Sequence, residues 1–211
     1  MKKTMVAAVF SSVLLLGACS GNAGEQLDNV LKDTFEAEKE YRDTQAEMEG
    51  LEKNEQELFS SIMALTQEQM DEVKSQAEEA LASADERLEL LKTEQQSMES
   101  AEEAFQEIDT VIEEAEEDAA KKELTALKTK MQERFDAHST FTDAYSSLND
   151  LQKELYTLLT DDATELAMLQ EKALEVNEQN TVVQEAVTVF NEQTEQFNEM
   201  KNKTLENLSE E

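Results

Sequence analysis

The amino-acid sequence predicts an all-α fold: an elongated up-and-down bundle of four long antiparallel helices, with a three-helix arrangement as the alternative. Three observations carry this. The chain of 211 residues has no Pro and four Gly, and only Gly50 lies beyond residue 24, so the body lacks the residues that punctuate turns and strands. Ala, Leu, Glu, Gln, Lys and Met dominate, and these are good helix formers. Apolar residues then recur at alternating steps of three and four over about six repeats, a pattern that disorder does not produce.

Residues 1–18 stand apart from this body. Lys2 and Lys3 precede an apolar run from Met5 to Leu16, too short for a membrane span of ~20 residues. Small residues then lead to Cys19, the only cysteine. This is the layout of a removable signal peptide. Leu16-Gly17-Ala18-Cys19 also resembles the lipobox of bacterial lipoproteins. That resemblance implies recognition of Leu16, Gly17 and Ala18 by a signal peptidase, a diacylglyceryl group on the Cys19 thiol, with or without an N-acyl chain such as palmitate, and Cys19 as the first mature residue. The alternative is a buried helix with a chance cysteine. Two or more acyl chains give stable anchoring where one does not. We therefore expect residues 1–18 to be a removed leader, 19–25 a lipidated cysteine with a short flexible tether, and 26–211 one helical domain on the outer face of a bacterial cytoplasmic membrane.

The body follows as four segments. The first, about 26–65, carries Leu27, Leu31, Phe35, Tyr41, Met48, Leu51, Leu58, Ile62 and Leu65. Thr66-Gln67-Glu68-Gln69 fits a capping box and opens the second, about 67–116. Its stripe runs Met70, Val73, Ala77, Leu81, Ala84, Leu88, Leu91, Gln95, Met98, Ala101, Phe105, Ile108, Ile112, Ala115. The phase slips between Ala115 and Leu124, which places a turn in the acidic run Glu113 to Asp118. The third segment, about 119–159, carries Leu124, Leu127, Met131, Phe135, His138, Phe141, Tyr145, Leu148, Leu151, Leu155 and Leu158. Thr160-Asp161-Asp162 offers cap side chains to the fourth, about 162–208. Its stripe runs Leu166, Leu169, Ala173, Val176, Asn180, Val183, Val187, Phe190, Thr194, Phe197 and Leu205. Segments of similar length with short connections favour antiparallel neighbours. A single helix over 67–159 would leave half of its apolar seam unpaired.

Charge narrows the function. The chain has 50 acidic and 18 basic residues and a net charge of −32, and loss of Lys2 and Lys3 makes the mature body more negative still. Nucleic-acid affinity rests on Lys and Arg meeting phosphates, so nucleic acid is an unfit partner, and so is an anionic lipid surface.

No catalytic constellation is evident. His138, the only histidine, lies in the apolar stripe and lacks the His or Cys partners of a zinc site; we read it as a core histidine bonded to a neighbour. The Glu-x-x-His pairs of di-iron bundles are absent, and no Glu or Asp is singled out by an apolar setting. Glu113, Glu114, Glu116, Glu117 and Asp118 lack an EF-hand loop and read as a solvated run. Gln95, Gln152, Asn180 and Thr194 interrupt the seams. They read as register control, with a recognition groove as the alternative. Tyr41, Tyr145, Tyr156, Phe135 and Phe141 could stack on sugars if exposed, but heptad spacing makes them core. We expect no metal, no cofactor beyond the lipid on Cys19, and no evident small-molecule substrate.

Arg134-Phe135, Phe141-Thr142-Asp143-Ala144-Tyr145 and Leu151-Gln152-Lys153-Glu154-Leu155-Tyr156-Thr157-Leu158-Leu159 resemble the cell-wall-binding lipoproteins of Gram-positive bacteria, the YkyA-type family. So do Val176-Asn177, Phe190-Asn191, Phe197-Asn198 and Lys201. The resemblance implies an extracytoplasmic, non-enzymatic helical bundle that binds cell-wall material such as peptidoglycan or acts at the membrane–wall zone. One departure is the acidity, which opposes direct attraction to anionic teichoic acids. The alternative function is a scaffold or spacer for another envelope protein, met through the long acidic surface.

Overall fold

The structure, a computed structural model, describes residues 23–209. The leader, Leu16, Gly17, Ala18 and Cys19 lie outside the described residues. Six α-helices make four long legs: α1 (Ala23–Ala37) with α2 (Lys39–Ile62), α3 (Met70–Phe105) with α4 (Ile108–Glu114), α5 (Asp118–Thr160) and α6 (Leu166–Ser209). No strand occurs among the described residues. The expected four-leg up-and-down bundle is what the chain forms.

The legs are less continuous than their periodicity suggests. The first is broken at Glu38, and the cause lies on α3. The Ser97 hydroxyl donates to the Ala37 carbonyl at 2.7 Å and accepts the Tyr41 N–H at 3.1 Å. These two backbone groups are four residues apart and would bond each other in an unbroken helix, so Ser97 has inserted into the ladder. The buried hydroxyl satisfies both. Ser97→Ala leaves them to close up or go unpaired, and an unpaired buried group costs ~1–3 kcal/mol. We expect a loss of that size in urea unfolding.

The second leg tightens at Gln106 and Glu107, both still in the right-handed helical region. Ile108 and Ala115 keep their expected core places, but Val111 is buried between them and Ile112, expected there, is only half-buried.

The turns follow local chemistry. A capping box sits at Thr66, whose N–H donates to Gln69 Oε1 at 3.3 Å. The chain reverses in the acidic run, where Ala115 and Glu117 are extended, at the place marked by the phase slip. The last helix begins at Leu166, not 162. Asp161 Oδ1 accepts the Ala163 N–H at 2.9 Å, which holds Asp161 to Ala163 in a turn instead of capping the helix.

Packing differs between the two ends. At the end where α1 begins, α1 packs on α3, α4 and α6, and α5 packs on α3, α4 and α6. Leu27, Phe105, Ile108, Leu124, Leu127, Met131, Phe190, Phe197 and Leu208 share one core there. Toward the other end α2 packs on α3, α3 on α5, and α5 on α6, but α2 and α6 form no comparable seam. The small cluster at that end, Ile62, Ala77, Ala80 and Tyr156, includes nothing from α6. The expectation of a continuous buried stripe on the fourth segment therefore fails over its first half. Leu166 is 68% exposed and Asn180 is exposed, and the first residue of α6 to be buried is Val183. The apolar spacing is present, but α2 does not pack against it.

Candidate functional site

The gap between α2 and α6 is a cleft of about 1080 Å³, with α3 and α5 as its floor. It lies in the half of the bundle away from Ala23. Glu49, Glu52 and Gln56 line it from α2, and Asn177, Asn180, Gln184 and Thr188 from α6. Phe141, Tyr145, Leu148, Leu155 and Tyr156 of α5, with Leu91 of α3, give the floor an apolar and aromatic body. The two helical ranks run side by side at steps of three and four, so each advances ~5 Å per contact.

The floor is held by buried charge, arranged in three places along the bundle. Nearest α1, Arg134 of α5 grips Glu38 at the helix break through Nη1–Oε1 at 2.6 Å and Nη2–Oε2 at 3.2 Å. Its Nε donates to Thr194 of α6 at 3.1 Å. In the middle, His138 Nε2 lies 2.8 Å from Glu94 Oε1, and Gln45 donates to Glu94 Oε2 at 3.0 Å. The ring and the carboxyl share one buried hydrogen bond. The ring edge of Tyr41 packs on His138 with centroids 5.6 Å apart.

At the cleft floor, Arg87 is 2% exposed. Its Nη2 donates to Glu55 Oε2 at 2.6 Å and to Gln152 Oε1 at 2.9 Å, and its Nη1 to the Tyr145 hydroxyl at 2.9 Å. Tyr156 donates to the other Glu55 oxygen at 2.7 Å, and Tyr145 donates to Glu52 Oε1 at 2.6 Å. Burial pushes the Glu55 carboxyl above its usual range, and Arg87 and Tyr156 offset this only in part. A buried carboxyl of raised pKa is the mark of a general acid, but both Glu55 oxygens are already engaged. The arrangement can hold and orient.

Burial also pushes the Tyr145 and Tyr156 phenols up, with Glu52 and Glu55 adding to the effect. Unfolded tyrosine ionises near pH 10. The folded phenols stay protonated above that, so the stability they contribute is intact below pH ~10 and drains away as pH climbs past it. We expect the absorbance rise of tyrosinate for these two residues to coincide with loss of helical circular dichroism. Ionisation of all three tyrosines near pH 10 in a fully helical protein would contradict this.

The sequence expectations sort clearly. His138 is a core histidine bonded to a neighbour. Tyr145, Tyr156 and Phe135 are buried, and Tyr41 and Phe141 half-buried, so the aromatic residues are largely core. Gln152 and Thr194 each accept from a buried arginine of another helix; Asn180 sits on the cleft rim instead. Glu113, Glu114, Glu116, Glu117 and Asp118 are solvated. The statement that no carboxylate is singled out is corrected by Glu38, Glu55 and Glu94, all buried among apolar side chains. Gln95, placed in the seam, is only half-buried, and its neighbour Glu94, 1% exposed, takes the inner position. Sequence reasoning also missed Arg87. The available signal was scarcity: Arg87 and Arg134 stand immediately beside seam residues Leu88 and Phe135 in a chain with few cations. Among the described residues, no group of three His, Cys, Asp or Glu is placed to hold a metal, and no helix is long and apolar enough to cross a membrane.

Comparison with known proteins places this architecture. A conserved protein of unknown function from Staphylococcus aureus, with a 1.6 Å crystal structure, superposes with a TM-score of 0.73 at 17% identity, over 85% of this chain and 88% of its own. At that identity the likeness is one of fold. No curated protein matches the sequence. A family model described as "Putative cell-wall binding lipoprotein" matches residues 22–207, almost the whole helical body, and the chain therefore belongs to the YkyA family.

Proposed function

We propose that this protein is a lipid-anchored, non-enzymatic lipoprotein that binds cell-wall material at the outer face of the cytoplasmic membrane. Cys19 carries the lipid, and residues 1–18 are removed. The observation that carries the reading is the position of the cleft. It opens between α2 and α6 from about Gln45 to Met63, ~33 to ~60 Å along the first leg from Ala23 at 1.5 Å per residue. A site built against the membrane would sit at the other end. The family match and the lipobox support the same reading.

The test is sedimentation of residues 20–211, which contain every described helix, with purified wall sacculi, with and without teichoic acid, Ca²⁺ and added salt. Saturable binding that persists after teichoic acid is stripped is expected, since the net charge opposes attraction to an anionic polymer. Absence of binding in every condition overturns the reading.

A second reading, a scaffold or spacer for another envelope protein, draws support from one feature. Met63, Leu166 and Met168 are 67%, 68% and 49% exposed at the far end of the bundle. Crosslinking in intact cells that recovers this protein only with itself would count against it.

A further inference from the structure

The cleft has an unbalanced inventory of charge. Its lining contains four carboxylates, Glu49, Glu52, Glu55 and Glu94, against the single guanidinium of Arg87, and no lysine. Arg87 is spent on Glu55, and Glu94 is engaged by His138 and Gln45. Glu49 and Glu52 remain, one turn apart on the exposed α2 rim, forming no ion pair with a cation of the protein among the described residues; Glu52 keeps one oxygen on the Tyr145 hydroxyl. The facing rim on α6, Asn177, Asn180 and Gln184, is uncharged and exposed and can donate or accept.

Resting on the wall-binding reading, we propose that the cleft takes an extended peptide of the wall, presenting a primary amine to Glu49 and Glu52 and backbone amides to the α6 rank. The residual carboxylates select a cation and repel an anionic polymer. The apolar floor, bounded by two polar rims that fix orientation, is the usual build of a binding cleft. The amide rank on α6 suits repeated peptide groups, which need donors and acceptors in alternation.

The test uses residues 20–211 and a synthetic lysine-bearing stem peptide with every carboxyl amidated, compared with the same peptide acetylated on its lysine amine. The amine form should bind saturably, with acetylation weakening it about tenfold, a 1.4 kcal/mol change. A Glu49→Gln/Glu52→Gln double variant should bring the amine form down to the acetylated level. Asn180→Trp, at an exposed rim position, should abolish binding of both while leaving helical content intact. Equal affinity for the two forms overturns the proposal. So does equal binding of a lysine peptide of unrelated sequence, which would indicate a protein partner. Binding of an N-acetylglucosamine oligomer that Asn180→Trp blocks would assign the cleft to glycan and likewise overturn it. The two readings separate on sacculi. Sedimentation unchanged by Asn180→Trp rejects the cleft assignment and leaves wall binding standing. No sedimentation of the native body beside tight, amine-dependent peptide binding does the reverse.

Discussion

Arg87→Met lowers the stability of the bundle by ~3–5 kcal/mol, the cost of removing one partner from a buried ion pair. The guanidinium holds Glu55, Gln152 and Tyr145 at once, joining α2, α3 and α5. Its loss strands Glu55, 3% exposed, in surroundings that already push its carboxyl upward. The loss is therefore smaller at acid pH. A carboxyl whose folded pKa is raised favours the folded state below its unfolded pKa of ~4.3 and forfeits that as pH rises through the folded value. Urea unfolding at pH 7 and at pH 5 checks both statements. Arg87→Met/Glu55→Gln should recover at least half of the loss, because it removes the stranded charge but keeps an acceptor for Tyr156. A double variant no more stable than Arg87→Met would refute the pairing argument.

Cys19→Ala has the second large effect, on location. With no thiol to acylate and no described helix able to span a membrane, the variant should be released into the medium or persist as an uncleaved precursor. Cell fractionation with radiolabelled palmitate reads both features: label present in the native protein, absent in the variant. Undiminished membrane attachment of a cleaved, unlabelled body would remove the anchor from the proposal. The helices should be unaffected, since Cys19 precedes the first of them.

The sequence made the course of the chain legible because periodicity reports which face of a helix is apolar. The slip between Ala115 and Leu124 located a reversal that no glycine or proline marks. Periodicity does not report whether another helix covers that face. Leu166 and Asn180 keep the spacing of a core stripe and are exposed, since α2 does not pack on that face. The break at Glu38 involves Ser97, an ordinary polar residue in sequence, and only its position opposite Ala37 and Tyr41 gives it meaning. The buried charges were hidden for a related reason. A count of apolar positions assigns Glu38, Glu55, Arg87, Glu94 and Arg134 to solvent, where single charges belong. Their burial depends on partners 32 to 96 residues away, a relation that no local pattern contains.

The continuity of α1 and α2 has a mechanical consequence. If a lipid holds the chain before Ala23 and the wall holds it at the α2 rim, turgor and wall growth pull along one leg of the bundle. Tension along a helix axis is borne by its backbone hydrogen bonds in series, and the weakest link in that line is the break at Glu38. There the load can pass sideways through the Glu38–Arg134 pair to α5, and through Ser97 to α3. The interruption at Glu38 is thus the place where strain on the first leg is shared with two others.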